Sequence, residues 1–141
     1  MTTPEQLADG WIDYARRLNG SPPDYDLGDG FALQWAADDQ PSLCWRGIRC
    51  VVARYTLDQL NYLGEKNEAQ SAVGQLAASV IEDLLGHHGS DFIELVEEEA
   101  KNDRRFAWAL GGVAQFTMSD EIFERVQRAA GEQEYWRRRI F

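Results

Sequence analysis

A chain of 141 residues, 44% hydrophobic and 27% charged, has a globular composition and excludes a disordered or collagen-like protein. Its net charge of −10 opposes nucleic-acid phosphates and anionic lipid, so neither nucleic acid nor membrane is an expected partner. The length suffices to bury a core without disulfide or metal staples and fits a single domain, residues 1–141. Thr3, Pro4 and Gln6 form a capping box with proline at the first helical position, and Leu7, Ala8, Trp11, Tyr14, Ala15 and Leu18 recur at helical spacing until Asn19-Gly20. Pro22-Pro23, Asp24, Asp26, Gly28, Asp29 and Gly30 make residues 21–30 a loop. Its acids do not follow the EF-hand order, so calcium is not expected there.

The spacing predicts a short helix over 31–37, with Phe31 and Trp35 on one face. A second runs over 42–55, with Cys44, Ile48, Val51, Val52 and Tyr55 inward and Arg46, Arg49 and Arg54 off that stripe. Gly47 inside it points to close helix packing. Thr56 caps a turn bearing Leu57, Leu60 and Leu63, and residues 64–67 form a polar break. The strongest apolar face is Val73, Leu76, Ala77, Val80, Ile81, Leu84 and Leu85. Gly86 and Gly89, around His87-His88, are expected to end that helix.

Ser90 is then expected to cap a helix with Phe92, Ile93, Val96 and Ala100 inward. Asn102 or Asp103 restarts helix through Phe106, Ala109, Leu110 and Val113, with Gly111-Gly112 as a weak point. Ser119 caps a helix through Ile122, Phe123, Val126 and Ala130. Residues 132–141 add a further turn anchored by Tyr135 and Trp136. No useful strand alternation occurs. The expected fold is therefore all-α, a compact bundle or stacked helical hairpins of about seven helices.

The charge is concentrated. Between Leu57 and Asp103 eleven acids face only Lys66 and Lys101, a net of −9. Asp91, Glu94, Glu97, Glu98 and Glu99 make an acidic helix surface, either simply solvated or a contact for a basic protein. Arg137, Arg138 and Arg139 make the C-terminal end basic, and a salt link from them to the acidic third is expected. Asp83 and His87 share a helix face beside Glu82 and His88. These groups could bind metal or move a proton, although histidine at a helix end is also favoured by the dipole alone. No nucleophile elbow, phosphate loop or dinucleotide motif occurs. Cys44 and Cys50 point to different helix faces and form neither a disulfide nor a CxxC pair.

Ile81 to Leu85, His88-Gly89, Phe92-Ile93, Val96-Glu97, Glu99-Ala100, Asp103, Phe106 and Ala109 to Val113, with Met118 and Ile122 to Val126, resemble a bacterial family of small helical proteins of unknown function. The likeness covers about residues 75–127. Ser79-Val80 stand where the family pattern has Gly-Pro, and Ala114 where it has tryptophan. The resemblance implies a bacterial cytosolic helical domain and carries over no catalytic residue.

These readings lead to a cytoplasmic protein-binding domain without a cofactor, either monomer or homodimer. An immunity- or antitoxin-like inhibitor of a basic bacterial toxin fits that profile, with Asp91, Glu94, Glu97, Glu98 and Glu99 as the contact. The alternatives are a metal-dependent or acid/base enzyme at Glu82, Asp83, His87 and His88, and a domain that self-associates through exposed tryptophans.

Overall fold

The computed structural model describes residues 1–26, 28 and 30–140, without the side chains of Arg139 and Ile140. The turn role expected of Asp29 lies outside the described residues. The helices are α1 (Pro4–Leu18), α2 (Phe31–Asp39), α3 (Pro41–Val52), α4 (Leu57–Asn61), α5 (Glu68–Gln75), α6 (Glu82–Asn102), α7 (Arg104–Leu110), α8 (Asp120–Ala130) and α9 (Glu134–Ile140), with a π-helical segment (Leu76–Ile81) joining α5 to α6. No strand occurs among the described residues, so the all-α class holds.

The starts follow from side-chain caps. Thr3 with Gln6, Thr56 with Gln59 and Asn67 with Gln70 each form a reciprocal capping box. Asp103 and Ser119 cap α7 and α8 by accepting from the backbone N–H groups of Arg105 and Ile122.

One contiguous buried cluster runs from Leu7 in α1 to Tyr135 in α9. Trp11, Leu33, Ile48, Leu60, Leu76, Leu84, Phe106 and Trp108 are all but inaccessible there. Full burial of one such aliphatic or phenylalanine side chain is worth about 1.5–3 kcal/mol. Helix α1 packs chiefly on α3, α2 bridges α1 and α3 to the start of α6, and α6 packs along α7 and α8. The expected close approach at Gly47 is real: a Cβ there would stand 2.7 Å from Leu33 Cδ1. In α2 the buried residues are Leu33, Ala36 and Ala37, whereas Trp35 is 70% exposed and meets Phe31 edge-on.

In the middle of the chain one expectation holds and one is corrected. The expected break around His87-His88 is present as a kink at which two helical stretches join, whereas Ser90 lies within helical backbone and does not act as a cap. Helical structure extends from Glu68 to Asn102 on either side of His88, whose backbone is non-helical (φ −133°, ψ 30°) and kinks the path there. The glycines serve packing. A Cβ on Gly86 would collide with Thr117 Oγ1, and one on Gly89 would crowd Ile122 at 3.3 Å. The absent side chains thus let the 117–122 segment lie directly on α6.

The π segment contains Ser79-Val80. Ser79 Oγ donates to Gln75 O (2.6 Å), and the buried Trp11 Nε1 donates to Ala72 O (2.8 Å). Side-chain donors inserted into the helical ladder are a recognised cause of such local widening.

Candidate functional site

Helix α6 carries both clusters singled out from the sequence, and its two halves meet different surroundings. In the first half each polar side chain is engaged separately by the fold. Glu82 is buried and accepts from Ala114 N–H (3.0 Å), fixing the connection between α7 and α8. Burial raises its pKa; the Ala114 N–H opposes that rise and Asp83 adds to it. Asp83 turns toward α2 and accepts from Gln34 Nε2.

His88 Nε2 contacts Asp38 O (2.7 Å) at the end of α2, while the half-exposed His87 ring holds Nδ1 3.9 Å from Asp38 Oδ1. Glu82 and Asp83 are therefore committed to different neighbours, and the two histidines splay with ring centroids 6.3 Å apart. Among the described residues no three His, Cys, Asp or Glu side chains converge as a metal-binding group.

The second half of α6 buries Phe92, Ile93, Val96 and Ala100 against the core and turns its acids outward. The five acids do not form a single face. Glu97 takes a two-pronged pair from Arg125 of α8, with Nε at 2.9 Å. The hydrogen bond from Arg125 lowers the pKa of Glu97, against a smaller rise from burial. Glu99 lies on the other flank and pairs with Arg49 of α3 at 3.2 Å.

Asp91, Glu94 and Glu98 remain on the exposed ridge. Glu98 accepts from Asn102 Nδ2 (3.1 Å), and among the described residues Asp91 and Glu94 have no ion-pair partner. Leu95 sits among these three acids and is 49% exposed. Beside the ridge, a groove of about 490 Å³ between α6 and α8 is lined by Glu94, Glu97, Glu98, Lys101 and Arg128, with Ala100 and Ala129.

The pairings with Arg125 and Arg49 escape sequence reasoning because each partner belongs to another helix and no short-range spacing announces it. The salt link expected from the terminal arginines to the acidic third is likewise replaced: Arg138 pairs with Glu134 one turn away (2.8 Å). Arg139's side chain lies outside the described residues. Cys44 is buried, its thiol pushed up to about 12 by burial, with a smaller contribution from Asp83. Cys50 is partly buried, and both are free thiols. No helix among the described residues is long and apolar enough to cross a membrane.

The fold and this surface define an acidic all-α domain whose central helix is packed into the core along its length and, in its second half, presents an acidic outer face. The chain belongs to the family of unknown function DUF6869, whose model matches residues 26–134. That span reaches from the loop before α2 to the first residue of α9 and contains the 75–127 stretch that carries the resemblance. Comparison with curated proteins found no match, and comparison with solved structures found none.

Proposed function

We propose that this chain is a protein-binding domain that receives a basic protein on the exposed ridge of α6. The observation that supports the reading is the half-exposed Leu95 set among Asp91, Glu94 and Glu98. An apolar centre with a charged rim is the anatomy of a protein contact, and exposed carboxylates without a cationic partner steer a basic protein toward it. Glu97 and Glu99 contribute to the field while holding Arg125 and Arg49.

An inhibitor of a basic bacterial toxin, acting in the cytoplasm, fits this chemistry. Such a role needs a charged, shape-complementary surface and no catalytic group. Two free thiols are compatible with a reducing compartment.

Co-expression of the chain with each neighbouring open reading frame tests the proposal. A basic protein should co-purify at low salt and dissociate as salt rises. Failure of every basic neighbour to bind at low ionic strength contradicts it.

A second reading, self-association, draws on the 70% exposure of Trp35, a residue type enriched in interfaces. Sedimentation of wild type and Trp35→Ser across a concentration series decides it. A strict monomer throughout removes this reading.

A further inference from the structure

We infer that the open groove between α1 and α2 is a docking site for a short extended segment of a partner protein in which basic and apolar side chains alternate. The site shares no residue with the α6 ridge and does not depend on it.

Two adjoining hollows, of about 590 Å³ and about 280 Å³, share Thr2, Leu7 and Ala32 and so form one groove along α1 and α2. Its floor is apolar, built from Leu7, Ala32, Ala36 and Leu43. On α1 the lining residues Gln6, Asp9, Gly10 and Asp13 are spaced by threes and fours, so they share one helix face with Gly10 at its middle. Glycine is unfavourable inside a helix, and here it leaves the centre of the groove without a side chain.

On α2 the wall is Trp35, the indole that stands exposed. Its ring meets Phe31 edge-on at 6.2 Å, Phe31 meets Tyr14 at 6.4 Å, and Tyr14 meets the buried Trp11 at 6.1 Å. This ladder ties the exposed indole back to the core. A ring oriented before binding loses little freedom when a partner arrives.

The charged residues that line the groove are Asp9, Asp13 and Asp39. Asp9 and Asp13 hold Arg54 and Arg17, yet neither arginine is part of the lining. Among the described residues Asp39 has no ion-pair partner. The carboxylates and the indole face suit a guanidinium or ammonium head, and the floor suits an apolar neighbour. An acidic segment gains only the floor and meets like charge at the rim. The span sets the length: Gln6 to Asp13 covers about 10 Å of helix, the reach of about three extended residues. In an extended segment successive side chains point to opposite sides, so one set meets the floor and the other the rim.

The test uses the full-length, isotope-labelled chain. The probe is an acetylated and amidated peptide of alternating arginine and leucine, with the glutamate–leucine peptide as control. At millimolar probe the Trp35 indole N–H and Gly10 amide signals should move while the Leu95 amide stays still, and the control should move none of them. Trp35→Ser should weaken binding at least about fivefold. Asp39→Lys should weaken it about threefold or more at low salt, with the difference shrinking as salt rises. Gly10→Met puts a side chain into the centre of the groove and should abolish the shifts. If that chain does not fold, the variants at the exposed Trp35 and Asp39 carry the test.

Stationary Trp35 and Gly10 signals, equal binding of the control, or unchanged affinity in Trp35→Ser would each overturn the proposal. Movement at Leu95 in place of Trp35 would send the probe to the ridge and overturn it too. Wild-type dimers that Trp35→Ser dissolves and that shut the probe out would give the groove to a second copy, again against the proposal. The groove variants leave Asp91, Glu94 and Glu98 intact, so failure of the groove and failure of the ridge are separable.

Discussion

The two halves of α6 are written in similar residues and put to opposite uses. In Glu82–Gly89 every acid is met from within: Glu82 by Ala114 N–H and Asp83 by Gln34. In Ser90–Asn102 the fold takes Glu97 and Glu99 and leaves Asp91 and Glu94 without an ion-pair partner among the described residues. An acid engaged by the fold positions a chain segment; an acid left in water creates a field beyond the molecule. The buried carboxylate is tied to a structural amide, while the outer carboxylates Asp91, Glu94 and Glu98 surround the exposed Leu95, and this contrast underlies the binding reading proposed above.

The first half should be sensitive to substitution. Gly86→Ala brings a Cβ into Thr117 Oγ1, and overpacking of this kind costs about 1–3 kcal/mol, offset by up to about 1 kcal/mol of helix propensity. Thr117→Ala in the same chain removes the clashing oxygen. Denaturant melts of the four chains should therefore show a favourable coupling of at least about 0.5 kcal/mol. Additive effects would mean that the two residues do not touch.

Glu82→Ala should cost about 1 kcal/mol by releasing Ala114 N–H. Glu82→Gln keeps an acceptor and isolates the charge. A carboxyl whose folded pKa is raised above its unfolded value penalises the folded state fully above the folded pKa, and the penalty fades as pH falls through it toward the unfolded value. The glutamine chain should therefore gain melting temperature over wild type at pH 7 and lose that advantage by about pH 4. A constant difference across that range would rule out a raised pKa.

Substitution of the histidines should act less. His88→Ala loses one contact to Asp38 O, worth about 1 kcal/mol, whereas His87→Ala should leave the melting temperature nearly unchanged. Zinc titration of the wild-type chain should show no site at micromolar concentration. A site abolished by the double alanine variant would restore the metal reading of Asp83, His87 and His88.

Much of this architecture is legible in the sequence, and the misses share a cause. Thr3, Thr56 and Ser119 announce helix starts because a cap is local, and the inward stripes from Leu7 to Val126 follow the helical period. The break between Gly86 and Gly89 is legible and stands as the kink at His88, but Ser90 misleads as a cap, and the packing role of the two glycines is invisible until Thr117 and Ile122 are in place. The acidic surface is legible as charge. Its division into paired and free carboxylates is not, since Arg49 and Arg125 arrive from other helices. Gly111-Gly112 is visible as a weak point and Trp136 as an anchor, but that the Trp136 ring packs directly on the two glycines is not legible in the sequence.

Under the proposed function, the exposed ridge of Asp91, Glu94, Leu95 and Glu98 carries little structural duty and meets a basic partner. The most direct test compares Asp91→Lys/Glu94→Lys/Glu98→Lys with wild type, measuring melting temperature and retention of the co-expressed basic protein on one preparation. Exposed positions of this kind should shift stability by no more than about 0.5 kcal/mol each, while partner retention at low salt disappears. Unchanged retention with an unchanged salt dependence would contradict the account.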